Sequence, residues 1–170
     1  MKKFFLMMLI AMAGGITASA QKFALVDMEY IMKKIPAYNE ANKQLEQLSG
    51  KWQSEIEQKA KEAETLYTAY QKASKMSEAQ KTEKENAIVA KEKEAAQLRQ
   101  QYFGPEGEMM KKREELIRPI QDAIYETIKD IATRKGYDAV IDRASAQSMI
   151  FASPRIDISN EVLLKLGYSN

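Results

Sequence analysis

The side chains able to do chemistry in this 170-residue chain are carboxylates and amines. It holds 26 Lys and Arg against 24 Asp and Glu, with no histidine and no cysteine. Without imidazole, the usual general base at neutral pH and the commonest metal ligand are both missing. Without thiols there is no thiol nucleophile, no thiolate metal site and no disulfide. Carboxylates alone can still do acid–base work, but here acids alternate with bases along helix-forming sequence, which is the pattern of a solvated helical face. No glycine loop of the Walker type is present to cradle nucleotide phosphates. The residues therefore predict neither an enzyme, nor a metal site, nor a cofactor.

What remains is a set of elements that present surface, and their order begins with a leader. Lys2 and Lys3, the apolar run Phe4 to Ala13, and Ala18-Ser19-Ala20 ahead of Gln21 read as a signal peptide over residues 1–20. The alternative, an uncleaved anchor, is disfavoured because a span needs about 20 apolar residues and Gly14-Gly15 follow a run half that long. Removing Lys2 and Lys3 leaves 24 basic against 24 acidic residues, a formal charge of zero. A nucleic-acid binder would display a basic stripe, so no nucleic acid is expected as a partner.

Between Pro36 and Gly136 the sequence is charge-rich and helix-forming, and its few breakers fall in matching places either side of Ser77. If facing residues have numbers adding to about 154, Gly50 meets Gly104 and Pro36 lies within one residue of Pro119. Such matching is the mark of a long helical hairpin. The apolar positions Tyr38, Ala41, Leu45, Leu48, Trp52, Ile56, Ala60, Ala63, Leu66, Tyr70 and Ala73 recur every 3.5 residues on average, the period of a coiled-coil seam. Leu gives way to Ala beyond Trp52, so the outer half has less apolar area to bury per turn. The tip falls at 74–77, where Ser77 with Gln80 forms a capping-box pattern. The return stripe is Ile88, Ala95, Leu98 and Tyr102. It meets Gly104-Pro105-Glu106-Gly107, after which a helix can restart with Pro105 in its first turn and Glu106 and Glu108 near its positive end.

The ends of the chain predict a body. Phe23 to Val26 suits a buried strand, and Asp27 can cap a brief helix. Leu116, Ile117, Ile120, Ile124, Ile128 and Ile131 make a heavy apolar face. Gly136 ends that helix, Tyr137 to Asp142 and Ser148 to Ala152 read as strands, and Ser159 can cap a last short helix. The expected division is residues 21–35 with 119–170 as a β-rich oligomerisation body and 36–118 as the hairpin. So small a body, without disulfide or metal, is expected to complete its core across subunits, using the short strands and the isoleucine face.

The order of these features resembles the Skp/OmpH family of periplasmic chaperones. The residues that carry the resemblance are Phe23-Ala24-Leu25-Val26-Asp27, Ile35-Pro36-Ala37-Tyr38, Glu115-Leu116-Ile117-Arg118-Pro119-Ile120-Gln121, Lys135-Gly136-Tyr137-Asp138-Ala139-Val140-Ile141-Asp142 and Asp157-Ile158-Ser159. It implies a mainly α chain with a small β body, assembled as a trimer whose coiled-coil hairpins project as tentacles around a cavity. Unfolded outer-membrane β-barrel proteins are held there without ATP. Well-known members are strongly basic and this chain is neutral, which leaves only weak contact with membrane surfaces. The alternative is a structural coiled-coil spacer or adaptor of the cell envelope.

Within that frame Trp52 belongs to the seam and is expected to pack, whereas Tyr67, Met76 and Phe103 are the candidates for contact with clients. Gly50, Gly104, Pro105 and Gly107 share one level and are hinge candidates. The competing reading of that level is a static kink that accommodates Trp52. Pro36 and Pro119 mark a second level at the root, where the ring of Pro119 displaces the backbone bond to Glu115.

Overall fold

A computed structural model describes residues 21–168, so the leader expected at 1–20 lies outside the described residues. The chain is mainly helical with a two-stranded open sheet, an α+β arrangement. In order it forms β1 (Phe23–Val26), α1 (Met28–Lys34), α2 (Pro36–Lys72), α3 (Glu78–Phe103), α4 (Glu108–Lys135), β2 (Ala139–Asp142), a 3-10 turn at Pro154–Ile156 and α5 (Ser159–Lys165).

The strands pair in parallel, with Phe23 opposite Ala139 and Val26 opposite Asp142. On the other flank of β1 a single bridge joins Leu25 to Asp157, and the Ile158 N–H donates to the Leu25 carbonyl at 2.8 Å. β1 is therefore held from both sides, which is why Ala24, Leu25 and Val26 are all buried in so short a strand. The main core gathers Ala24, Val26, Ile31, Ile35, Ile124, Ile131, Ile158, Val162 and Leu163, with Ile120 and Ile128 packed against it. The isoleucine face of α4 is thus covered by β1, α1 and α5 of its own chain. The two ends of the chain close over it within one copy.

Asp27 ties these elements together. Its Oδ1 accepts from the Tyr30 N–H at 2.8 Å as the N-cap of α1, and its Oδ2 accepts from Arg143 Nε and Nη2, each at 3.1 Å. Arg143 Nη1 also lies 3.3 Å from Asp157 Oδ2, so one guanidinium spans both flanks of β1. Ser159 was expected to cap the last helix, but it is the first residue inside it. Its buried hydroxyl accepts from the Asp27 N–H at 2.8 Å, while Asp157 Oδ1 takes the Ser159 N–H. Among the described residues no buried side-chain polar atom lacks a partner.

Two further expectations fail locally. The segment 148–152 is not a strand: it pairs with neither strand of the sheet, Ile150 is fully exposed and Phe151 is 83% exposed. Pro105 is not in a helical first turn. It sits in a tight turn closed by the Gly107 N–H on the Gly104 carbonyl at 2.9 Å, and α4 starts after it at Glu108 with Gly107 at the N-cap.

Other local readings hold. Pro36 opens α2 at its first position, Ser77 and Gln80 form the capping box of α3, and Gly136 takes the left-handed conformation at φ 66°. α4 continues through Pro119 as one element. Ile124 has no exposed surface, so Ile124→Ala is expected to lower stability by about 2–5 kcal/mol. A reduced urea midpoint in circular dichroism checks it.

Candidate functional site

α2 alone is about 55 Å long at 1.5 Å per residue. It lies against α3 in antiparallel fashion, since cross-helix partners climb on one as they descend on the other. The Tyr70 hydroxyl donates to Glu85 at 2.6 Å, Lys91 lies 3.0 Å from Glu62, Lys59 lies 3.3 Å from Glu94, and Trp52 stacks on Tyr102. The donated bonds to Glu85 and Glu55 hold the Tyr70 and Tyr102 hydroxyls above the ordinary phenol range.

Little apolar side chain is buried along this pair. Ile56 and Ala63 come from α2, and Ile88 and Ala95 from α3. Nearer the root, Ala41 and Leu45 of α2 pack with Ile117 of α4, supported by Tyr38, Met109 and Leu116. The apolar content therefore thins outward, and charge takes over at the surface.

The break between α3 and α4 is filled with aromatic rings. The Trp52 ring lies 4.8 Å from that of Tyr102 and nearly parallel to it (6°), while Phe103 meets Trp52 edge-on at 6.2 Å and 81°. The Tyr102 hydroxyl donates to Glu55 at 2.9 Å. A Cβ on Gly104 would fall 2.3 Å from the Gln100 carbonyl oxygen, and one on Gly107 would fall 2.8 Å from the Tyr102 carbonyl oxygen. Both positions need glycine for close approach, since their φ values of −64° and −72° are ordinary. Gly50 differs: α2 runs through it without interruption, and a Cβ there would meet nothing within 4 Å.

The remaining candidates lie apart from one another. Tyr67 is half exposed, beside a groove floored by Ala60, Ala63, Ala95 and Ala96. Met76 is half-buried in the link between α2 and α3. Phe103 is 37% exposed and meets Trp52 edge-on. Pro36 and Pro119 stand at the root. The structure does not gather these residues into one pocket. Sequence reasoning missed the Lys59–Glu62–Lys91–Glu94 cluster, although Lys-x-x-Glu recurs in both helices at facing positions and marked it. Arg143 had no such signal.

Among the described residues no group of three or more His, Cys, Asp or Glu is placed to hold a metal ion, and no helix is long and apolar enough to cross a membrane. The geometry defines a mainly helical protein with a small two-stranded sheet and a long antiparallel pair of helices. The chain belongs to the OmpH-like outer membrane protein family, whose model matches residues 22–166. It is 29% identical to chaperone protein Skp of Yersinia enterocolitica over 157 residues, 91% of each chain. It is 30% identical to chaperone protein Skp of Photorhabdus luminescens over 135 residues, 78% of this chain and 79% of that one. With chaperone protein Skp of Pectobacterium atrosepticum the identity is 26% over 157 residues.

The break gives a direct comparison of glycines. Gly50→Ala should raise stability by up to about 1 kcal/mol, since it removes backbone freedom from a helix interior and meets open space. Gly104→Ala should lower it, and urea unfolding of the two variants is expected to move in opposite directions.

Proposed function

We propose that this protein is an ATP-independent holdase of the periplasm that binds unfolded outer-membrane β-barrel proteins and keeps them from aggregating. The observation that carries the reading is the pairing of family membership with a projection of about 55 Å on a small body. Many weak contacts along such a projection compete with a client's self-association, and release needs no fuel when the client is more stable in its membrane.

In this reading residues 36–118 are a coiled-coil tentacle, and residues 21–35 with 119–170 are the body that joins three copies around a cavity. The leader at 1–20 is cleaved on export. Support for assembly comes from apolar side chains that the single chain leaves uncovered: Ile150, Phe151, and at the sheet Phe23 and Ile141. Among the described residues β2 pairs only with β1, so its outer edge can take a strand from a neighbour. Tyr67, Met76 and Phe103 are the client-facing side chains. Gly50, Gly104, Pro105 and Gly107 form a hinge that widens the cavity, with Pro36 and Pro119 setting the angle at the root.

The test is dilution of a urea-unfolded outer-membrane barrel protein into buffer, with and without residues 21–170 and with no nucleotide, followed by light scattering. Suppression near one oligomer per client is expected, and Tyr67→Ser should weaken it while leaving the urea midpoint in place. Failure to suppress at several-fold excess would move the reading to an envelope spacer. Ile150→Asp with Phe151→Asp should shift sedimentation from oligomer to single chain without loss of helix signal.

A further inference from the structure

Where apolar packing thins, four charges form a closed square between α2 and α3. Across the helices, Lys59 lies 3.3 Å from Glu94 and Lys91 lies 3.0 Å from Glu62. Along each helix, Lys59 lies 3.7 Å from Glu62 and Lys91 lies 3.2 Å from Glu94. The two cross-pairs share one register, their residue numbers adding to 153 in both cases. The buried residues at this level include Ala63 and Ala95, whose short side chains give little penalty for sliding. A slip of three residues, about one turn, would bring Lys59 opposite Lys91 in one direction and Glu62 opposite Glu94 in the other.

We infer that the Lys59–Glu62–Lys91–Glu94 square is a register lock: it selects which residues of α2 face which residues of α3 in the outer part of the helix pair, and the pair loosens when the square is neutralised or screened. The order of signs does two things at once. It attracts in the observed register and repels in both neighbouring ones, as alternating charges do where they choose among helix alignments. The side chains are 31 to 43% exposed, so the attraction is partly screened and contributes more to choice of register than to overall stability.

The lock has a definite pH window. The charged groups facing Glu62 are Lys91, Lys59 and Glu94, and those facing Glu94 are Lys91 and Lys59. Hydrogen bonding from Lys91 holds both carboxyls below the ordinary carboxylate range, helped at Glu94 by a bond from Lys59. Their contribution is complete above the unfolded value, about 4.3 for glutamate, and is lost as pH falls through the lower folded value. The Lys91 ammonium is held above its usual range by Glu62 and then Glu94, so its part is complete below about pH 10 and is lost only above its folded value. Between those limits the square is intact.

The test is independent of chaperone activity. The chain has no cysteine, so spin labels at Thr68→Cys and Asn86→Cys report the separation of α2 and α3 just beyond the square. The parent should give one narrow distance distribution. Glu62→Lys with Glu94→Lys should broaden or split it. The fourfold exchange Lys59→Glu, Glu62→Lys, Lys91→Glu and Glu94→Lys restores every attraction with the signs reversed, and should return the single narrow distance. An unbroadened all-lysine variant, or a fourfold exchange as broad as the broken square, would overturn the inference. In the unsubstituted chain, 1 M salt should speed amide exchange over 57–68 and 85–97 by about two- to fivefold while leaving 120–131 unchanged. Exchange unchanged in the outer segments would equally count against the lock.

Discussion

Two parallel strands can be joined only by a crossover, and in this chain the crossover between β1 and β2 is the entire helix pair with its root. Everything else is arranged around that constraint. The body has to be assembled from both ends of the sequence, so its core takes Ala24 and Val26 from the beginning and Ile158, Val162 and Leu163 from the end, with Ile124 and Ile131 of the returning helix between them. Asp27 is the polar counterpart of that convergence. Its backbone and carboxylate reach Ser159, Tyr30 and Arg143, which belong to three separate stretches of chain.

Away from the body the means of cohesion change in order. Isoleucine packing dominates at the root, and an aromatic cluster of Trp52, Tyr102 and Phe103 stands at the break. Ile56, Ile88, two alanines and paired charges hold the outer helices. This gradient follows from geometry, because a two-helix projection buries one stripe on each helix and exposes the remainder to water. Few apolar side chains fit in that narrow stripe, whereas charges can pair across the seam and stay hydrated. The tip is closed locally, by the Ser77 and Gln80 capping box and by Tyr70 on Glu85.

The parts of this fold that local chemistry specifies were legible in the sequence. Pro36, Ser77 with Gln80, and Gly136 each mark a helix end through their own backbone preferences, and the 3.5-residue stripe predicted the extent of α2. Trp52 packs, as its place in the seam led one to expect, here against Tyr102. Two of the misreadings turn on a distant partner. Ser159 looked like a cap because its neighbours suit one, but its hydroxyl is taken by the Asp27 N–H from the other end of the chain. The segment 148–152 has strand-forming residues but pairs with neither strand of the sheet among the described residues.

The sequence separation of the strand pairs has a further consequence for the order in which the molecule is made. Arg143 and Asp27 are 116 positions apart, and the last partner of β1, Ile158, follows later still. As the chain grows from its N-terminus, Ala24, Leu25 and Val26 emerge long before anything exists to cover them. The helix pair shortens that wait. Its helices form from sequence neighbours and fold the path back on itself, returning position 139 towards position 23, so the final closure spans far less free chain than the numbering implies. The same projection that gives the protein its reach also keeps its two ends close enough to find each other.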